Sequence, residues 1–114
     1  MKKLIKISLL IKPISINSCW QGRRYKTKEA KIYDKSLQLL LPKKKIEAQF
    51  YAVKYIFYLK SILKADIDNF IKVIQDNLVK KGIIRDDRFI LKIEAQKIKS
   101  EKDYIEIEIM EFKN

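Results

Sequence analysis

Two aspartates stand two residues apart at Asp66 and Asp68, a lysine follows at Lys72, and a second acidic pair, Asp86 and Asp87, comes after Gly82. Carboxylates this close repel one another unless a cation lies between them. Oxygen-only donors favour Mg²⁺, with Mn²⁺ as the alternative, over zinc. If Asp66 and Asp68 lie on extended backbone leading into a helix, their side chains point the same way, and the helix N-terminus favours their negative charge. Lys72 is four residues beyond Asp68, one helical turn along the same face. An ammonium there can hold a phosphate or stabilise the charge that develops as a phosphodiester breaks. Histidine is absent, which removes imidazole acid–base catalysis and His-ligated zinc. The chemistry within reach is metal-assisted hydrolysis by carboxylates and a lysine.

Each residue alone has a plainer role. Asp66 or Asp68 can be a helix N-cap, Asp86-Asp87 a turn, and Lys72 a solvated residue or the ion-pair partner of Asp68 or Asp76. Asp87 also raises a question of reach. A helix of roughly 13 residues is about 20 Å long. Asp87, beyond its far end, joins Asp66 and Asp68 only if the following strand runs back along the helix or a second subunit supplies it.

Charge points to the partner. The chain carries a net charge of +12, and residues 1–50 hold 13 Lys+Arg against 3 Asp+Glu. Compositional drift would spread the surplus evenly; a cationic first half and an acid-bearing second half fit a phosphate-contacting surface beside a carboxylate site. Arg23, Arg24, Lys26, Lys28, Lys43, Lys44 and Lys64 are the candidate nucleic-acid contacts, positioning the backbone without reading bases. Trp20 and Tyr25 flank the basic loop and could stack on an exposed base; the plainer role for Trp20 is partial burial against the first helix. The cations alone would also suit a non-catalytic DNA- or RNA-binding protein, which leaves the clustered carboxylates unexplained.

These residues need a scaffold. The 114 residues amount to one domain, residues 1–114, with a single core. No apolar run is long enough for a membrane span. The basic start is broken by Lys6 and ended by Lys12 and Pro13, so it reads as a strand and not a leader. The single cysteine, Cys19, fits a reducing compartment, hence the cytoplasm. Residues 4–11 alternate as a strand, and Pro13 to Arg24 reads as a polar loop. Thr27 caps a helix with Ala30, Tyr33, Leu37 and Leu40 as its apolar stripe up to Pro42. Residues 49–59 are a β-branched and aromatic strand. A second helix spans about Asn69 to Lys81, buries Phe70, Ile74 and Leu78, and stops at Gly82. Residues 88–98 and 104–112 alternate as strands, and the turn at Ser100–Asp103 predicts a hairpin between them. The order β-α-β-α-β-β is an α+β domain, a small mixed sheet with two helices packed on one face.

The combination Asp-Ile-Asp-Asn-Phe-Ile-Lys, Asp76, then Lys-Lys-Gly-Ile-Ile-Arg-Asp-Asp-Arg-Phe-Ile resembles the signature of the RusA family of Holliday-junction resolvases. The early Lys-Pro-Ile-Ser-Ile-Asn is similar to that family's Pro-x-Ser-x-Asn stretch. The resemblance implies a homodimeric, Mg²⁺-dependent endodeoxyribonuclease that resolves four-way or other branched DNA by paired nicks, in recombination and repair. It further implies that Asp66, Asp68 and Asp87 bind the metal and that Lys72 assists catalysis. The acidic clusters of the family lie near the dimer interface, which would ease the reach of Asp87. Family members often carry Arg just before the Asp-x-Asp. Here Lys64 and Ala65 stand there, which weakens that phosphate contact or moves it to Lys64.

Overall fold

Tyr51–Leu59 is the most continuously apolar segment of the chain and accordingly lies inside the sheet, with neighbours on both sides. The computed structural model describes residues 2–15, 20–21 and 25–113, with the backbone alone at Trp20, Gln21 and Tyr25. Its elements are β1 (Lys2–Leu9), β2 (Trp20–Gln21), β3 (Tyr25–Lys26), α1 (Lys28–Leu40), β4 (Tyr51–Leu59), α2 (Ile67–Lys80), a 3₁₀ turn (Asp87–Phe89), β5 (Ile90–Lys99) and β6 (Tyr104–Glu111). With the two-residue β2–β3 ribbon set aside, the order is the expected β-α-β-α-β-β, and the sheet is mixed, ordered β1-β6-β4-β5. The ribbon's first strand lies inside the segment Pro13 to Arg24 expected to be a plain loop, and its second lies just beyond it. Among the described residues no helix is long and apolar enough to cross a membrane.

One face of the sheet makes the core. Ile7 pairs with Ile107, and Ile107 with Tyr55 on its other side; Leu9, Ile105 and Phe57 form the next row. All are buried and join Leu37 of α1 and Phe70, Val73, Ile74 and Leu78 of α2 in one cluster. The opposite face carries cross-strand ion pairs, Lys3–Glu108 and Lys6–Glu106, and the stacked rings of Tyr58 and Tyr104. The Tyr58 hydroxyl and Lys6 ammonium hydrogen-bond Glu106 and hold its carboxyl below the usual range.

The predicted hairpin of the last two strands does not form. β5 pairs with β4 in parallel, β6 pairs with β4 antiparallel, and β4 lies between them. Two strand spacings are about 10 Å, and the four residues 100–103 reach about 13 Å when extended, so a short link can step over one strand. It does so by closing the end of β4: Ser100 N donates to Leu59 O at 2.8 Å, and Lys60 N donates to the Asp103 carboxylate at 2.8 Å. Placing β5 beside β4 completes a β-α-β unit around α2, the connection that parallel strands require.

Helix α1 starts as expected, with Ala30 N donating to Thr27 Oγ1 at 3.1 Å. Leu40 is 48% exposed and lies outside the buried stripe; Leu41, where the helix ends, takes its place in the core. A buried amide ties the helices together. Asn77 Nδ2 donates to Asp34 at 2.9 Å, and Gln38 Nε2 donates to Asn77 Oδ1 at 2.9 Å. Helix α2 ends in a Schellman motif: Gly82 N donates to Val79 O and Ile83 N to Leu78 O, both at 3.0 Å. Gly82 has φ of 85°, and a Cβ there would meet nothing within 4 Å. Gly82→Ala is therefore expected to cost about 1 kcal/mol through backbone conformation alone, read as a lower urea midpoint at unchanged m-value.

Candidate active site

Helix α2 starts two residues earlier than the spacing predicted, at Ile67. Asp66 is the N-cap on extended backbone and Asp68 lies within the first turn, so the two are not on one extended stretch as the sequence argument required. Both carboxylates are exposed. Asp66 makes no side-chain cap hydrogen bond, unlike an aspartate whose purpose at this position is capping. Both charges sit at the positive end of the helix, which offsets part of their repulsion.

The chain returns from the far end of α2 within the same subunit. After Gly82, Ile83 and Ile84 are fully buried, and Ile46 N donates to Ile83 O at 2.9 Å. Arg85 donates from Nη2 to Ala48 O and Gln49 O, each at 3.0 Å, and lies over the Phe89 ring at 4.0 Å. These anchors fold the loop back along the helix. The two aspartates that follow then separate in role. Asp86 caps the 3₁₀ turn, accepting from Arg88 N at 3.0 Å, and that backbone N–H holds its carboxyl below the ordinary range. Asp87 meets Lys72: Oδ2 lies 3.5 Å from Nζ.

Lys72 Nζ also contacts Asp76 Oδ1 at 2.7 Å. The Asp76 hydrogen bond, and then the charge of Asp87, raise the lysine pKa above its usual value. The ammonium is thus held charged, turned toward Asp76 and Asp87, with its side chain about half exposed. Of the four residues singled out for chemistry, the structure joins Lys72 and Asp87 directly and sets Asp68 one turn away on the same helix. Asp66, Asp68 and Asp87 do not form a closed ligand cluster; among the described residues no group of three acidic or thiol side chains does. The donor chemistry nonetheless suits a hard cation: oxygen only, exposed, and uncommitted to capping at Asp66.

Beside the start of α2 lies a cavity of about 600 Å³, whose charged lining is Lys12, Lys60 and Lys64 against Glu29 and Asp103, with Tyr33 and Phe70 among the rest. The Lys12 ammonium beside Lys64 pushes the Lys64 pKa down, as crowding of like charge does. A bound phosphate would relieve it. Lys64 was expected from sequence; Lys12 and Lys60 were not, because only the fold brings the end of β1 and the end of β4 to the start of α2. Lys28, Lys43 and Lys44 are exposed. Lys26 is engaged with Asp34 at 2.7 Å. Arg23 and Arg24 lie outside the described residues, as do the side chains of Trp20 and Tyr25.

The family model described as Endodeoxyribonuclease RusA matches residues 15–110, which spans α1, α2, the 3₁₀ turn and all but the last residue of β6. No curated protein sequence matches the chain significantly.

Proposed function

Because the chain belongs to the RusA family of endodeoxyribonucleases, we propose that it is a Mg²⁺-dependent, homodimeric, cytoplasmic enzyme that resolves Holliday junctions or related branched DNA by paired nicks, in recombination and repair. One observation carries this reading: the loop after α2 returns Asp87 to Lys72, on the helix that Asp66 and Asp68 begin. A structural turn needs only Asp86 as its cap, and Asp87 has no such duty.

In this reading Asp66, Asp68 and Asp87 hold the divalent ion, with Mn²⁺ able to substitute. A bound ion supplies Lewis acidity and acidifies water at neutral pH. The residues do the rest. Water attacks phosphorus in line with the departing sugar oxygen, and its proton passes to a carboxylate or to bulk water, since the chain has no histidine. Lys72, kept charged by its two acidic neighbours, stabilises the negative charge that builds on the phosphoryl oxygens. Lys64, with Lys12 and Lys60 around the same cavity, holds a neighbouring phosphate. Lys28, Lys43 and Lys44 extend the contact along the backbone, with Arg23, Arg24 and Lys26 assigned to the same surface on sequence grounds.

The lysines of that cavity also suit the rival reading of a non-catalytic nucleic-acid-binding protein. One assay separates them: a labelled four-way junction incubated with the protein, with and without Mg²⁺. Paired nicks that need the ion and vanish on chelation are the expected result. Binding without cleavage in either Mg²⁺ or Mn²⁺ overturns the nuclease reading.

A further inference from the structure

The sheet has two edges, β1 and β5, and they differ in a way that selects a partner. β1 carries Lys2, Lys3 and Lys6; each edge strand has one register shift, between Lys3 and Ile5 in β1 and between Ile90 and Lys92 in β5. Two copies brought edge to edge at β1 would set like charges together. β5 is ten residues long and bonded to β4 on one side only. Residues 91–96 are exposed on both faces, with Leu91 and Ile93 each 45% exposed. An edge strand with large exposed apolar side chains is a template for pairing unless something covers it.

Register identifies what fits. Residues of β5 paired with Val53 and Tyr55, namely Ile93 and Ala95, lie on the helix-bearing face. Lys92 and Glu94 lie on the open face, already 3.3 Å apart along the strand. Two antiparallel copies of one edge strand are related by a two-fold axis normal to the sheet, so facing residues share a face and the axis passes through one residue. Centred on Lys92 it would oppose two lysines, and centred on Glu94 two glutamates. Centred on Ile93 it opposes Lys92 to the partner's Glu94 twice and Ile93 to its own copy. Opposite charges facing across a strand pair are favourable and like charges are not.

We infer that β5 is the homodimer interface, two copies pairing antiparallel through Ile93 to make one continuous eight-stranded sheet. The axis leaves both α2 helices on the same side, so both carboxylate sites face one substrate. The self-pairing stands on the strand itself; its value for symmetric nicking rests on the nuclease reading above.

Sedimentation of the full-length protein across the micromolar range, without DNA or metal, tests it. Wild type is expected to dimerise. K92E and E94K each create two like-charge contacts and should weaken the dimer by about tenfold or more, while K92E/E94K together restore opposite charges and bring affinity back to within about threefold. I93K should be monomeric. Lys92, Ile93 and Glu94 are all exposed in the single subunit, and circular dichroism checks that each variant is folded. A wild type that stays monomeric overturns the inference, as does a dimer indifferent to both single charge reversals; a double variant no tighter than the singles overturns the register. Junction cleavage is scored separately. A β5-mediated dimer that never cleaves refutes the nuclease and leaves the interface standing, whereas a cleaving dimer unmoved by these substitutions refutes the interface alone.

Discussion

Asp68→Asn is expected to leave the fold and junction binding intact and to lower the cleavage rate by about 10²–10³-fold or more, the scale seen when one group that stabilises developing charge is removed. The substitution keeps shape and removes one negative charge from an exposed position in the first turn of α2. Its structural effect is confined to the loss of a favourable helix-terminal charge, about 0.3–1 kcal/mol. Junction affinity should hold or rise, because a carboxylate facing phosphate is gone. Single-turnover cleavage alongside a gel-shift titration reads both quantities, and a folded, junction-binding variant cutting at the wild-type rate would remove Asp68 from the site. Asp86→Asn supplies the internal comparison. Asp86 accepts one backbone N–H from Arg88, which an asparagine oxygen can also do, so this neighbour should retain wild-type cleavage.

The largest expected effect on stability lies at Ile107. It is fully buried in the middle of β6, between Ile7 of β1 and Tyr55 of β4. Both flanking strands and the helices above are held by the rest of the core, so the site has little freedom to collapse around a missing side chain. Ile107→Ala should cost about 2–5 kcal/mol, the transfer term plus the cavity left behind. Against a total of about 5–15 kcal/mol for a domain, that is a large share, expected as a fall in melting temperature of roughly 10 °C or more. Urea unfolding followed by circular dichroism gives the number directly. A loss below about 1 kcal/mol would mean that the sheet repacks here and that β6 is not the rigid centre its register implies.

What the sequence alone determined was local. The alternation at Ile105, Ile107 and Ile109, the aromatic and β-branched run of β4, the Thr27 cap and the Gly82 stop all act over a few residues, and each appears where its chemistry requires. The motif from Asp66 to Asp87 was legible as a set because family spacing is itself a sequence property. Tertiary structure decided the pairings. Ser100–Asp103 is a good turn whether it joins adjacent strands or steps over one, and burial of β4 on both sides chose the second. Asp86 and Asp87 are equivalent as letters; only the anchoring of Arg85 and the burial of Ile83 and Ile84 turn one into a cap and the other toward Lys72. Asp66 and Asp68, expected as a matched pair on extended backbone, fall on opposite sides of a helix boundary. The alternation of β5 was equally clear in the sequence, yet a period of two says only that a strand has two different faces. Which neighbours cover them is a long-range matter, and in the single subunit Leu91 and Ile93 remain half uncovered.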